Sequence, residues 1–92
     1  MIKSFRCRDT EDLFEDRFVR RFQSVEKTAR RKLEALEAST SLADLSCVPG
    51  NRLEALRGDR EGQYSIRIND QYRICFEWKD AKAWNIEIVD YH

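Results

Sequence analysis

Apolar residues follow two different periods along the chain, and the change between them falls near Pro49-Gly50. Before it, Leu13, Phe14, Phe18 and Phe22 recur at helical spacing, which predicts one amphipathic helix. Thr10 or Asp9 is placed to cap it, and Glu11 and Asp12 put negative charge in the first turn, where the helix dipole favours it. Ser24 is placed to cap a second helix with Glu26 in its first turn. Its apolar stripe is Ala29, Leu33 and Leu36, fading at Ser39-Thr40-Ser41. Leu42-Ala43-Asp44-Leu45 adds one short turn, and Pro49-Gly50 ends the helical half.

After that point apolar positions alternate. Tyr64, Ile66 and Ile68 share one side, as do Tyr72, Ile74, Phe76 and Trp78, and then Trp84, Ile86 and Ile88. Period two over three segments joined by short connections predicts an antiparallel meander with one buried face. Residues 51–57 are expected to add a strand before the tight loop Arg57-Gly58-Asp59-Arg60-Glu61-Gly62, and residues 2–6 an edge strand. The fold class is therefore α+β: a small antiparallel β-sheet with an N-terminal helical hairpin packed on one face, forming a single domain over residues 1–92.

Alternation also predicts the register, because a slip of one residue would turn a strand's core face outward. Keeping Ile68 beside Tyr72 and Ile66 beside Ile74 makes Asn69-Asp70-Gln71 the hairpin connection. Arg67 then lies opposite Arg73 on the second face. The next hairpin places Trp78 opposite Trp84, Phe76 opposite Ile86, Ile74 opposite Ile88 and Arg73 opposite Val89, with Tyr91 continuing on the second face. That face gathers Arg67, Arg73, Glu77, Glu87 and Tyr91. It reads either as a solvated surface, with the arginines paired to Glu77 or Glu87, or as an anion site. Directly opposed guanidiniums repel, and a phosphate between them would relieve that through paired charge-assisted hydrogen bonds.

Composition narrows the partners. Seventeen basic and seventeen acidic residues cancel, so nucleic-acid contact requires a local patch rather than the field of the whole chain. The three cysteines, Cys7, Cys47 and Cys75, are odd in number and widely spaced, which predicts reduced thiols rather than a disulfide framework. The only histidine is His92, so no metal cluster and no cofactor is expected. Neither a signal-peptide core nor a membrane-length apolar run is visible, and a cytoplasmic protein without membrane contact is expected.

Several segments carry a resemblance. Met1-Ile2-Lys3-Ser4-Phe5, Pro49-Gly50-Asn51-Arg52-Leu53, the run from Leu56 through Gly58-Asp59-Arg60-Glu61-Gly62-Gln63-Tyr64-Ser65-Ile66-Arg67, Tyr72-Arg73-Ile74-Cys75-Phe76 and the ending Asp90-Tyr91-His92 resemble the HigB killer proteins. The G-D-R-x-G-x-[WY]-S-I and D-Y-H motifs in this order are specific, and the resemblance spans nearly the whole chain. It implies a RelE/ParE-superfamily fold and the toxin of a type II toxin–antitoxin system. It further implies an endoribonuclease that enters the ribosomal decoding site and cuts mRNA there, so inhibiting translation. The implied neutraliser is a HigA-type antitoxin with a helix-turn-helix domain, and operator DNA is bound only through the toxin–antitoxin complex.

A ribonuclease working without a metal uses the 2′-hydroxyl as nucleophile. It needs a base for that proton, an acid for the leaving 5′-oxygen, and cations for the charge that builds on the phosphate. His92 suits acid–base work near neutrality, or is simply a frayed end; the D-Y-H match favours the first. Asp90 can orient His92 or share its proton. Tyr91 can stack on a splayed base or bond the phosphate, or pack as a rim aromatic. Arg73 is the candidate phosphate clamp, with Arg67 opposite it and Arg57 nearby, unless Arg57 pairs with Asp59.

Two positions depart from the family pattern: Glu54 stands where relatives commonly carry His, and Arg57 where they carry Lys. A carboxylate at Glu54 can serve as the base or be a plain surface residue. The basic run Arg30-Arg31-Lys32, with Arg20, Arg21 and Lys27, is a candidate ribosome contact or the wet face of the helices, balanced by Glu26 and Glu34. Two other functions fit the same fold. A ParE-like inhibitor of DNA gyrase would lack the acid–base ending, and a catalytically silent binding module would retain only antitoxin pairing.

Overall fold

In the computed structural model, which describes residues 1–90, the helical half comes first and the sheet second. Helix α1 (Arg8–Phe14) is followed by a 3-10 segment (Arg20–Val25), α2 (Glu26–Ala38) and the short α3 (Leu42–Ser46). The strands are β1 (Glu54–Ala55), β2 (Gln63–Arg67), β3 (Tyr72–Lys79) and β4 (Lys82–Asp90), paired antiparallel in the order β1-β2-β3-β4. The expected α+β architecture is therefore present, with helices on one face of a meander.

The core lies between the two layers. Leu13, Phe22, Ala29, Leu33 and Leu36 from the helical half meet Ile66, Ile74, Phe76, Ile86 and Ile88 from the sheet, all between 0 and 3% exposed. Each large aliphatic or aromatic side chain buried this way contributes about 1.5–3 kcal/mol, so the alternation in the strands dictates which face takes the helices.

Three helical expectations need correction. The first helix ends at Phe14, and Asp16 then takes a left-handed backbone (φ 67°) that reverses the chain. Phe18 is consequently outside the stripe and 63% exposed, while Phe22 reaches the core from the 3-10 segment. Neither Thr10 nor Asp9 caps α1, whose N-cap is Cys7. Thr10 is buried instead, and its hydroxyl accepts the Ile88 N–H at 3.0 Å, fastening α1 to β4. Ser24 lies within the 3-10 segment, and α2 begins after Val25. By contrast, Ser41 and Asp44 form a reciprocal capping box, which makes residues 42–46 a true helix rather than a single turn.

Residues 2–6 run beside β4 in parallel, through isolated bridges Ile2–Ala83 and Phe5–Ile86. Lys3 N–H donates to Ala83 O at 2.8 Å and Ile86 N–H to Ser4 O at 3.1 Å. With Thr10 on Ile88, this covers an edge that would otherwise present unpaired backbone groups.

The β2–β3 register is the expected one, with Ile66 opposite Ile74 and Arg67 opposite Arg73. The β3–β4 register holds for Arg73–Val89, Ile74–Ile88 and Cys75–Glu87, then shifts at a bulge. Trp84 stands opposite Glu77, not Trp78, and Trp78 faces Ala83. The extra residue is Asn85 in the left-handed region (φ 52°), a conformation asparagine tolerates better than most residues. Trp84 thereby leaves the core, and its indole N–H donates to Lys79 O at 3.0 Å.

Candidate active site

The second face of the sheet is polar and centred on Arg73, which is only 8% exposed. Alternation on β3 points it away from the helices, and the facing strand supplies its first anchor. Arg73 Nε donates to Ser65 Oγ at 2.8 Å, and Nη2 donates to Arg52 O at 2.6 Å and Ser65 O at 3.4 Å. Nη2 also lies 3.6 Å from Glu54 Oε1. Glu54 reaches this position because β1 pairs it with Ser65. Its side chain is 57% exposed while that of Arg73 is 10% exposed. The pair therefore consists of a cation held by three hydrogen bonds and a carboxylate open to solvent.

Arg67 and Arg73 avoid repulsion by turning to different partners. Arg67 bonds Asp70 in the hairpin connection, and among the described residues the partners seen for Arg67 and Arg73 are Asp70, Ser65, Arg52 and Glu54 rather than the expected Glu77 and Glu87. Glu87 instead accepts from Arg60 Nη1 at 2.9 Å, which also bonds Gln63 at 3.1 Å, and Arg6 approaches it at 3.8 Å. Gly58 (φ +66°) and Gly62 (φ +92°) adopt left-handed backbone around the 3-10 turn Gly58–Arg60, which explains the spacing of the two glycines in the loop motif and directs Arg60 back onto β2.

Cys75 lies between these groups, 1% exposed, and burial pushes its thiol above the ordinary range, partly offset by Arg60 and Arg73. It is an inert thiol at neutral pH. Arg57 caps the turn from an exposed position, with no ion pair to Asp59 among the described residues.

The remaining expected residues divide. Asp90 stands opposite Tyr72, one step from the Arg73–Val89 pair, so the ladder assigns it to the side opposite Arg73; Gln71 Nε2 donates to it at 3.1 Å. Tyr91 and His92 lie outside the described residues. Arg30 is turned inward: Nε donates to Leu13 O at 2.9 Å, Nη2 to Arg17 O at 2.8 Å and Nη1 to Glu26 at 2.5 Å. Lys32 donates to the Asn51 side chain, and burial together with Arg31 and Arg67 pushes its ammonium below the usual lysine range. Arg31 is exposed.

Sequence reasoning did not single out Ser65, Arg60, Asn51 or the Arg52 carbonyl. Ser65 was legible from alternation, since it sits between Tyr64 and Ile66 on the face of Arg67. The other three depend on long-range contacts. Clefts of about 320 and 160 Å³ lie at residues 23–28 and around Glu77, Lys79, Trp84 and Asn85. Among the described residues, no three His, Cys, Asp or Glu side chains gather as a metal site, and no helix is long and apolar enough to cross a membrane.

The family model described as "RelE-like toxin of type II toxin-antitoxin system HigB" matches residues 3–92. The chain is 41% identical over 87 residues to Toxin HigB-1 of Vibrio cholerae, covering 92% of each. It is 33% identical over 94 residues to Endoribonuclease HigB of Proteus vulgaris, covering 100% of each. Among solved structures, a chain of the heterotetrameric YoeB–YefM toxin–antitoxin complex from Staphylococcus aureus superposes with a TM-score of 0.63 at 22% identity, covering 100% of this chain and 98% of that one. This last likeness establishes the fold alone.

Proposed function

Because the chain belongs to the HigB family of RelE-like type II toxins, we propose that it is an endoribonuclease that cuts mRNA in the ribosomal decoding site and is neutralised by a HigA-type helix-turn-helix antitoxin. The observation that carries this reading is the Glu54–Arg73 pair on an open, arginine-rich sheet face, in a chain matching a named endoribonuclease from end to end.

Glu54 takes the 2′-hydroxyl proton as the 2′-oxygen attacks phosphorus. The P–O5′ bond breaks, leaving a 2′,3′-cyclic phosphate, and His92 supplies the proton to the departing 5′-oxygen. Such proton transfers contribute about 10²–10⁴-fold each. Arg73 holds the charge that builds on the phosphate, and its dense anchoring means little reorganisation at the moment of reaction. Arg67 and Arg57 bind flanking phosphates, and Tyr91 stacks on a base. Asp90 acts through His92 rather than on the RNA. Arg31 on α2 is the exposed member of the run expected to meet ribosomal RNA, since Arg30 and Lys32 are engaged internally.

Inducing the chain without an antitoxin and mapping message 5′ ends tests this. Cuts within translated codons, absent from naked RNA and abolished by Arg73→Ala, are expected. DNA damage with intact messages would instead identify a gyrase inhibitor, and unhindered growth a silent binding module.

A further inference from the structure

Asn51 is 0% exposed, and all its polar groups are used. Its Nδ2 donates to Leu45 O at 3.0 Å, its backbone N–H donates to Val48 O at 3.2 Å, and its carbonyl accepts the Arg67 N–H at 2.6 Å. Its Oδ1 accepts from the Lys32 ammonium on α2. The next residue, Arg52, sits in the left-handed region (φ 47°), and its carbonyl takes Arg73 Nη2 at 2.6 Å. Two residues further on, Glu54 meets the same nitrogen at 3.6 Å. The buried Asn51 side chain thus ties α2 and α3 to a residue whose backbone bonds β2, immediately before the strained Arg52 turn whose carbonyl holds Arg73.

We propose that Asn51, held by Lys32, is a positioning residue for the Glu54–Arg73 pair, so that Lys32 serves the reaction from behind the site rather than by touching RNA. The inference rests on the endoribonuclease reading for its catalytic consequence, but not for its geometric one. A left-handed non-glycine turn costs free energy and persists only where its surroundings over-determine it. Asn51 supplies that constraint by anchoring the residue before Arg52 on both sides, to α3 and to β2. Loss of the Lys32 contact leaves the buried Asn51 Oδ1 without its donor while Nδ2 stays on Leu45 O. The amide shifts to regain a partner, the turn relaxes, and the Arg52 carbonyl withdraws from Arg73. Burial of the Lys32 ammonium beside Arg31 and Arg67 fits a cation retained for an internal bond.

The test uses the full chain with Lys32→Met, Lys32→Arg and Asn51→Ala, and reads two quantities. The first is the side-chain NMR signal of Arg73 Nε–Hε in the folded protein. The second is single-turnover cleavage of message on programmed ribosomes as a function of toxin concentration. Lys32→Met is expected to shift the Arg73 signal and speed its hydrogen exchange about 10-fold. It is also expected to lower the maximal rate about 10- to 100-fold at unchanged half-saturation, with Lys32→Arg restoring both. An unmoved Arg73 signal overturns the proposal, and so does a defect confined to half-saturation, which would place Lys32 on RNA. If the unaltered chain cuts nothing, the endoribonuclease reading fails while the NMR arm still decides the relay. Asn51→Ala need not fold for the outcome to be read, because Lys32→Met alters a half-buried contact only.

Discussion

Glu54 and Arg73 face each other at 3.6 Å with opposite degrees of freedom: the arginine is clamped by Ser65 and the Arg52 carbonyl, while the glutamate stands more than half exposed at the sheet edge. This asymmetry separates stability from chemistry and makes the two residues distinguishable by mutation.

Glu54→Gln is expected to leave the urea midpoint almost unchanged, since an exposed ion pair contributes about 0–1 kcal/mol. Message cleavage should fall about 10²–10⁴-fold if the carboxylate is the base. Glu54→His, which supplies an imidazole base at the same place, should restore cleavage. Equal activity in Glu54→Gln and the parent would remove Glu54 from the mechanism.

Arg73→Ala should lose activity and stability together. Ser65 Oγ would be left without its donor in a buried environment, and the Arg52 carbonyl in a partly buried one, a cost of about 2–3 kcal/mol. Urea denaturation with cleavage measured well below the midpoint resolves the two effects.

Arg30 closes the C-terminal end of α1 through the Leu13 and Arg17 carbonyls. Arg30→Ala is expected to cost about 1–3 kcal/mol, whereas Arg31→Ala stays within about 0.5 kcal/mol and weakens ribosome-dependent cleavage instead. A melting temperature for each, beside cleavage at two salt concentrations, checks the contrast.

The bulge depends on Asn85 at φ 52°. Asn85→Gly should be neutral or slightly stabilising, and Asn85→Val should cost about 1–2 kcal/mol, because a β-branched residue is strained there. Thermal melts of the two variants should bracket the parent.

The cysteines should differ sharply toward a thiol reagent. Cys47 is exposed and should react first, Cys7 more slowly, and Cys75 only on unfolding. Burial raises the Cys75 thiol in the fold. Its neutral form therefore stabilises the protein below the unfolded thiol value of about 8.5, and that contribution is lost as pH rises through the higher folded value. As pH rises above about 8.5, the denaturant midpoint should fall more for the parent than for Cys75→Ala.

Alternation in the sheet half made the meander, its buried face and the Arg67–Arg73 opposition legible, because period two binds neighbouring residues to opposite sides wherever one side is apolar. The helical half was less readable. A stripe through Leu13, Phe14, Phe18 and Phe22 looks continuous, yet the chain reverses at Asp16, and that reversal has no periodic signature. The bulge at Asn85 escaped for a similar reason: one left-handed residue shifts the ladder without altering the hydrophobic pattern, and Trp84 looks as apolar outside the core as within it.

What the sequence determined alone was the set of local preferences and the side each strand residue takes, since sterics and burial act between near neighbours. It also contained the motifs that pointed to the family. Only the tertiary structure decided which of many charged residues do which work. Arg30, Arg31 and Lys32 are adjacent in the chain, but one caps α1, one faces solvent and one reaches Asn51. Long flexible side chains have no fixed address until distant backbone carbonyls and buried amides come within hydrogen-bonding distance, and that happens only when the helices close onto the sheet.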